Sequence, residues 1–147
     1  MNYLFSGEPI ISENTFLFCL KSSIEPLEIE RLENGFSIIN DIYAGGTNGG
    51  IFEIAKSFNA KIILMHMKGL PLDMQKKIHY SSLIDDILYF FESRIRDAKS
   101  YGIPDSNIII DPGIGFGKNF NQNLLIMKYI NKFRINNCGL LLGSSRK

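Results

Sequence analysis

The chain of 147 residues has no tryptophan, only two cysteines and two histidines, and not one acidic residue after Asp111. Each shortage removes a class of protein. Cys19 and Cys138 both lie in apolar, strand-like runs, so they read as small buried thiols rather than a disulfide framework or a thiolate metal site. Neither His66 nor His79 has a cysteine, histidine or acid at metal-ligand spacing, and no metal ligand is assigned. No apolar run approaches the ~20 residues that cross a bilayer. Met1-Asn2-Tyr3 begins no basic-then-apolar leader, which points to the cytoplasm and away from membranes. A net charge of +1 argues against a dedicated nucleic-acid binder. The charge is lopsided, however: Lys118, Lys128, Lys132, Arg134, Arg146 and Lys147 follow the last acid unopposed. They form either a basic helix face or a local attraction for an anionic substrate.

What is present is an ordinary globular composition, 45% hydrophobic and 21% charged, in about one domain's length of chain. Strand and helix patterns alternate five times. Residues 15 to 20 read as a strand, followed by a helix with Ser22-Ser23 at its cap and Pro26 in its first turn. That helix runs to about Asn34 and closes at Gly35. Residues 37 to 41 form the next strand, about 49 to 58 a helix, and 61 to 66 a strand ending in Met65-His66. Ser81 or Ser82 caps a helix whose stripe is Leu83, Ile84, Ile87, Leu88, Phe91 and Ile95. Ile108-Ile109-Ile110 is a strand buried on both faces. A helix of about 121 to 133 bearing Leu124, Leu125, Met127 and Ile130 then leads to a strand over 138 to 142. Residues before Thr15 receive no role. Such alternation, with nothing hairpin-like between strands, predicts a parallel α/β chain. Polar or glycine-bearing sequence recurs at strand C-termini, at Asn40-Asp41, Met65-His66, Asp111 and Gly143 to Ser145. In a barrel those ends meet on one rim.

The most distinctive stretch is Asp111-Pro112-Gly113-Ile114-Gly115-Phe116-Gly117-Lys118, an acid ending a strand and opening a glycine-rich loop. It is not a P-loop, which needs glycine where Pro112 stands and a hydroxyl residue where Asn119 stands. Nor is it a dinucleotide fingerprint, which needs glycine at Lys118 and an acid about 20 residues on.

This loop, followed by Asn123-Leu124, resembles the second signature region of dihydropteroate synthase. Ile39-Asn40-Asp41, Met65-His66-Met67-Lys68-Gly69-Leu70-Pro71 and Gly143-Ser144-Ser145-Arg146-Lys147 resemble other strand ends of the same family, in the same order, over residues 36 to 147. The resemblance implies a partial (β/α)8 TIM barrel of about five consecutive βα units with a parallel sheet, in one pterin-binding domain. It implies condensation of 7,8-dihydropterin-6-ylmethyl diphosphate with 4-aminobenzoate, giving dihydropteroate and diphosphate for folate synthesis. Asp111 looks like the acceptor of the pterin's adjacent N–H donors. Asn40 resembles the residue reading the remaining ring edge, Met65 an apolar wall, and Lys147 the donor to the pterin carbonyl and ring nitrogen. Asp111 and Lys147 are thus the expected catalytic pair. Gly143 belongs with the substrate contacts, Ser145, Phe116 and Gly117 line the aminobenzoate channel, and Arg146 supplies an anion contact.

By strand count these are the third to seventh of eight. The family's first strand, whose Asn holds Mg2+, and its last strand, with an Arg-x-His anion site, are expected to be missing. Mg2+ is therefore expected for the family without a protein ligand here. The family's Asp-Thr pair at the third strand end falls near Lys21-Ser22, with Asn14-Thr15 as a displaced alternative. Five unclosed units would leave two bare sheet edges, so the expectation is a truncated chain, weakly active or inactive alone, or one completed by a second chain or a homodimer. Other readings are a methyltetrahydrofolate-binding barrel of the corrinoid methyltransferases and a non-enzymatic degenerate remnant.

Overall fold

A computed structural model describes residues 3–5, 16–19, 26–46, 49–69 and 79–143. In chain order the elements are β1 (Tyr3–Phe5), β2 (Phe16–Cys19), α1 (Pro26–Glu33), β3 (Ile38–Asp41), α2 (Gly50–Ser57), β4 (Lys61–Met65), α3 (Leu83–Ser100), β5 (Ile108–Asp111), α4 (Phe120–Lys128) and β6 (Gly139–Gly143). The five expected βα strands are all present, and each parallel pair joins sequence neighbours, from β2 through β6. Short strands with helical crossovers leave this as the arrangement that buries both sheet faces.

One edge differs from expectation. Tyr3, Leu4 and Phe5 pair antiparallel with Gly143, Leu142 and Leu141, so β1 covers the outer edge of β6. Among the described strands the two open edges of the sheet are therefore β1 and β2. Three residues are too few for periodicity to reveal, yet their aromatic and aliphatic character suits an edge ladder. The possible Asp-Thr counterparts Asn14-Thr15 and Lys21-Ser22, and the unassigned Pro9 to Ile11, lie outside the described residues.

Alternation along the strands separates two apolar layers. Ile39, Ile62, Leu64, Ile108, Ile110 and Leu140 face the helices and pack with Phe52, Ile87, Phe91, Ile126 and Phe133. Ile38, Ile63, Ile109 and Leu141 form a second, smaller cluster on the opposite face. At about 1.5–3 kcal/mol for each large side chain removed from water, the helix-facing layer dominates stability. The stripe on α3 packs as its spacing requires, with Leu83, Ile84, Ile87, Phe91 and Ile95 buried. Ser82 occupies the N-cap of α3, but its Oγ donates to Asp85 rather than to a backbone group of the helix.

In the helix after β5 most of the apolar residues singled out in the sequence face solvent. Leu124, Leu125 and Met127 are 48%, 39% and 46% exposed, whereas Ile126 and Phe133 are fully buried. Its start explains the rotation. Asn119 and Gln122 form a reciprocal capping box that begins α4 at Phe120, and the helix stops at Lys128 before a separate 3-10 turn over Ile130–Phe133. Positions 123, 126 and 130 then face inward, with Asn123 serving the loop described below. Lys128 and Lys132 both stand 5.4 Å from the Tyr129 ring, so this part of the basic run is a solvated helix face. Cys138, before β6, is free and half-buried, and burial pushes its thiol up to about 11. No helix among the described residues is long and apolar enough to cross a membrane.

Candidate functional site

The period of two that separates the apolar layers also sorts the rim residues. Asn40 lies two positions after Ile38, Met65 two after Ile63, Asp111 two after Ile109 and Gly143 two after Leu141. All four therefore crown the smaller cluster, on the face away from the helices. Met65 and Asp111 are register partners across β4 and β5. Gly143 stands close to the acid, since a Cβ added there would lie 3.7 Å from Asp111 Oδ2.

Asn40 and Asp41, adjacent in sequence, have opposite tasks. Asp41 points to the helix side, 1% exposed, and accepts from the N–H groups of Tyr43, at 2.8 Å, and Gly45. Burial raises its pKa while those bonds hold it down. It shapes the loop. Asn40 is half-buried on the other face, and its amide makes no hydrogen bond among the described residues.

Asp111 is 8% exposed. Its Oδ1 accepts from Gly113 N at 2.8 Å, and no described residue donates to Oδ2. Burial raises its pKa to about 6, against the Gly113 bond and the Lys118 charge. A buried carboxylate with one oxygen fixed and the other open is an acceptor suited to a planar ligand with adjacent N–H donors.

The loop after Asp111 is packed hard against the residues after β4. Gly113 has φ +69°, and a Cβ there would fall 2.1 Å from His66 O; at Gly117, with φ +63°, it would meet Lys68 O at 2.5 Å. Only glycine permits both approaches. His66 N donates to Asp111 O at 2.8 Å, Tyr80 Oη to Gly117 O at 2.9 Å, and Gly115 N to Asn123 Oδ1 at 3.0 Å. Beneath the loop Lys118 is 2% exposed, and its Nζ donates to the carbonyls of His66, Gly113 and Phe116. His66 is a buried wedge, edge-on to Phe90 at 4.9 Å, and burial with the Lys118 charge lowers its pKa to about 3.

With this geometry in place, comparison with known proteins is direct. The family of pterin binding enzymes matches residues 10–147. The chain belongs to that family. The pterin binding enzymes it resembles include a dihydropteroate synthase from Synechocystis, 36% identical over 118 residues that make up 80% of this chain and 41% of the relative. A bifunctional dihydropteroate synthase/dihydropteroate reductase from Helicobacter pylori is 35% identical over 133 residues, 88% of this chain and 34% of that protein. Among solved structures, Yersinia pestis dihydropteroate synthase in a sulfonamide drug complex superposes with a TM-score of 0.80 at 32% identity, over 90% of this chain and 46% of that one. The chain thus spans about two fifths of the Synechocystis relative's length and a third of the Helicobacter one's. Its sheet is accordingly part of a family TIM barrel.

Of the residues expected from sequence, Asn40, Met65, Asp111 and Gly143 come together on one face. Phe116 and Gly117 lie on the adjoining loop. Ser145, Arg146 and Lys147 fall outside the described residues. Sequence reading missed the buried clamp of Lys118, the Tyr80 and Asn123 tethers, and the turn-forming role of Asp41. The described residues contain no group of three or more His, Cys, Asp or Glu able to hold a metal. Asp41 spends both oxygens on backbone N–H groups and Asp111 one. What the resemblance assigns to Mg2+ has no seat among them.

The open oxygen of Asp111 makes Gly143 a sensitive position. Gly143→Ala puts a methyl in van der Waals contact with Oδ2 without touching the backbone. The fold is expected to hold, with the melting midpoint within ~2 °C, while affinity for a dihydropterin drops about tenfold, the ~1.4 kcal/mol of one crowded hydrogen bond. Calorimetric titration measures the second quantity and differential scanning the first.

Proposed function

We propose that this chain reads a dihydropterin, and that the barrel to which it belongs condenses the pterin's methyl diphosphate with 4-aminobenzoate. The observation that carries this is the placement of Asn40 and Asp111 on one face, each with unused hydrogen-bonding capacity toward the same space. Asp111 accepts the paired N–H groups of the pyrimidine edge, Asn40 donates and accepts along the rest, and Met65 forms the apolar wall. Lys147 donates to the pterin carbonyl and ring nitrogen. Phe116, Gly117 and Ser145 border the aminobenzoate, and Arg146 contacts an anionic group.

In the reaction, the C–O bond between the exocyclic methylene and diphosphate breaks, and the diphosphate leaves with the electron pair. The aniline nitrogen of 4-aminobenzoate forms the new C–N bond to that carbon and then loses a proton. Positive charge develops on the pterin as the bond breaks, and the Asp111 carboxylate, fixed in place by Gly113, stabilises it. No covalent bond to the protein forms. We place this activity in the cytoplasm, with small molecules as partners and no nucleic acid.

Thermal protection by two ligands tests the reading. Dihydropterin methyl diphosphate is expected to raise the melting midpoint by several degrees at a hundredfold excess over Kd, equivalent to ~2.7 kcal/mol. 5-Methyltetrahydrofolate is expected to give no comparable shift. Protection by the folate alone would assign the chain to methyltetrahydrofolate-binding barrels, and protection by neither would leave a non-catalytic remnant.

A further inference from the structure

A lysine in a glycine-rich loop normally reaches outward to an anion. Lys118 turns inward instead, with its Nζ 3.1, 2.9 and 2.8 Å from the carbonyl oxygens of His66, Gly113 and Phe116. Three carbonyls can only accept, and only a protonated ammonium carries three hydrogens to meet them. A positive charge is thereby set beneath the loop, bonded to the carbonyl of Gly113, whose N–H holds Asp111 Oδ1; burial lowers the pKa of the ammonium to about 7, against the pull of Asp111.

The surroundings leave this charge little competition. On the β4 side the His66 ring is buried and neutral, and Lys68 directs its Nζ to His79 O and the Tyr80 ring. Tyr80 spends its hydroxyl on Gly117 O. On β3 Asp41 is bound within its own turn on the opposite sheet face. On β6 the neighbours are Leu141 and Gly143, without charge.

We propose that Lys118 is a positioning residue for Asp111: its buried ammonium ties the end of β4 to the loop after β5 and holds Asp111 as an ionised acceptor. The first part follows from the three hydrogen bonds, which fix the shape of the loop from inside. The second follows from the opposite charge, which favours the carboxylate against its burial. Only the identity of the ligand that Asp111 meets rests on the pterin reading. The coupling belongs to the chain itself.

The test is carboxyl 13C NMR of the full chain labelled at aspartate Cγ and lysine Cε, across pH 4 to 9. In Lys118→Met, a substitution of similar length without charge, the midpoint of Asp111 is expected to rise by about one pH unit or more from about 6. Asn123→Ala removes the Gly115 tether without changing any charge, and is expected to leave that midpoint in place. Should Lys118→Met fail to fold, the unaltered chain still answers. There the Asp111 Cγ signal is expected to move a second time as the Lys118 Cε signal titrates, since coupled groups report each other's protonation. An Asp111 midpoint unchanged in the variant, or no response to the Lys118 titration in the unaltered chain, would overturn the proposal. A shifted midpoint in a chain that binds no pterin would instead count against the proposed function alone.

Discussion

Replacing Gly113 by alanine is expected to cost about 5 kcal/mol of folding stability. Two costs add. At φ +69° an L-residue sits in the left-handed region, at a penalty of about 1 kcal/mol. The larger cost is steric, because the new Cβ would lie 2.1 Å from His66 O, a backbone atom at the end of β4 that no rotamer change can move aside. Relief requires the loop to separate from β4. That separation breaks the His66 N to Asp111 O bond at 2.8 Å and pulls the carbonyls of His66 and Gly113 away from Lys118, leaving a buried ammonium short of acceptors. A domain of this size has a total margin of ~5–15 kcal/mol, so the loss is a large share of it. Urea denaturation followed by circular dichroism measures the change. The same substitution at Gly115, where an added Cβ meets nothing within 4 Å, should cost only the conformational penalty.

The largest effect on binding is expected from Asp111→Asn. The side chain keeps its shape, and its amide oxygen still accepts from Gly113 N. The other oxygen, however, becomes an NH2 facing the ligand's own N–H groups. A charge-assisted pair of hydrogen bonds is replaced by one donor–donor clash in a buried place, a loss of about 2–4 kcal/mol, or ~30- to 1,000-fold in affinity. Stability should not fall in parallel. The buried carboxylate is held at a raised pKa, so its removal relieves a burial cost as it removes a contact. Calorimetric titration with a dihydropterin, paired with a melting curve, separates the two.

How much of this was legible in the residues follows from what kind of pattern each feature leaves. Ile108 to Asp111 shows its strand and its terminal acid openly, because a β-branched run broken by Pro112 has few alternatives. Asn40 and Asp111 were placed on a common rim by the parallel alternation, and their resemblance to one family supplied the ligand. Asp41 was harder to separate from Asn40. One residue along a strand reverses the face, and only the fold reveals that the acid rather than the amide serves a turn. The edge strand β1 is too short for periodicity, and its partner β6 is over 130 residues away in sequence. The buried face of α4 is not legible in sequence, because Leu124, Leu125 and Met127 outnumber Ile126, whereas the capping box at Asn119 sets the helix start and therefore its rotation. In the sequence Lys118 belongs to an electropositive tail. Nothing in its neighbours announces that three carbonyls converge beneath the loop, since those come from Gly113 and Phe116 nearby and from His66, brought in by the sheet.

The central claim, that an ionised Asp111 reads a pterin on the inner face of this sheet, bears on pH in a defined way. Below its raised pKa the acid is protonated and presents a hydroxyl where the ligand needs an acceptor, so affinity falls as pH drops. Folding must be watched over the same range. His66 is held neutral in the folded chain to about pH 3 but takes up a proton near 6.5 when unfolded, so the stability it contributes is complete above 6.5 and declines as pH falls toward 3. Asp111 acts oppositely, because its folded pKa is raised, and its part of the stability declines as pH rises from 3.8 to about 6. The decisive measurement is therefore the dihydropterin affinity of the unaltered chain from pH 5 to 8, determined by calorimetry with the folded fraction followed by circular dichroism. The expected result is a constant affinity at the upper end, and a fall approaching tenfold per pH unit below about 6 that Asp111→Asn abolishes along with most of the binding. An affinity independent of pH across that range, or an Asp111→Asn variant that binds within about threefold of the unaltered chain, would contradict it.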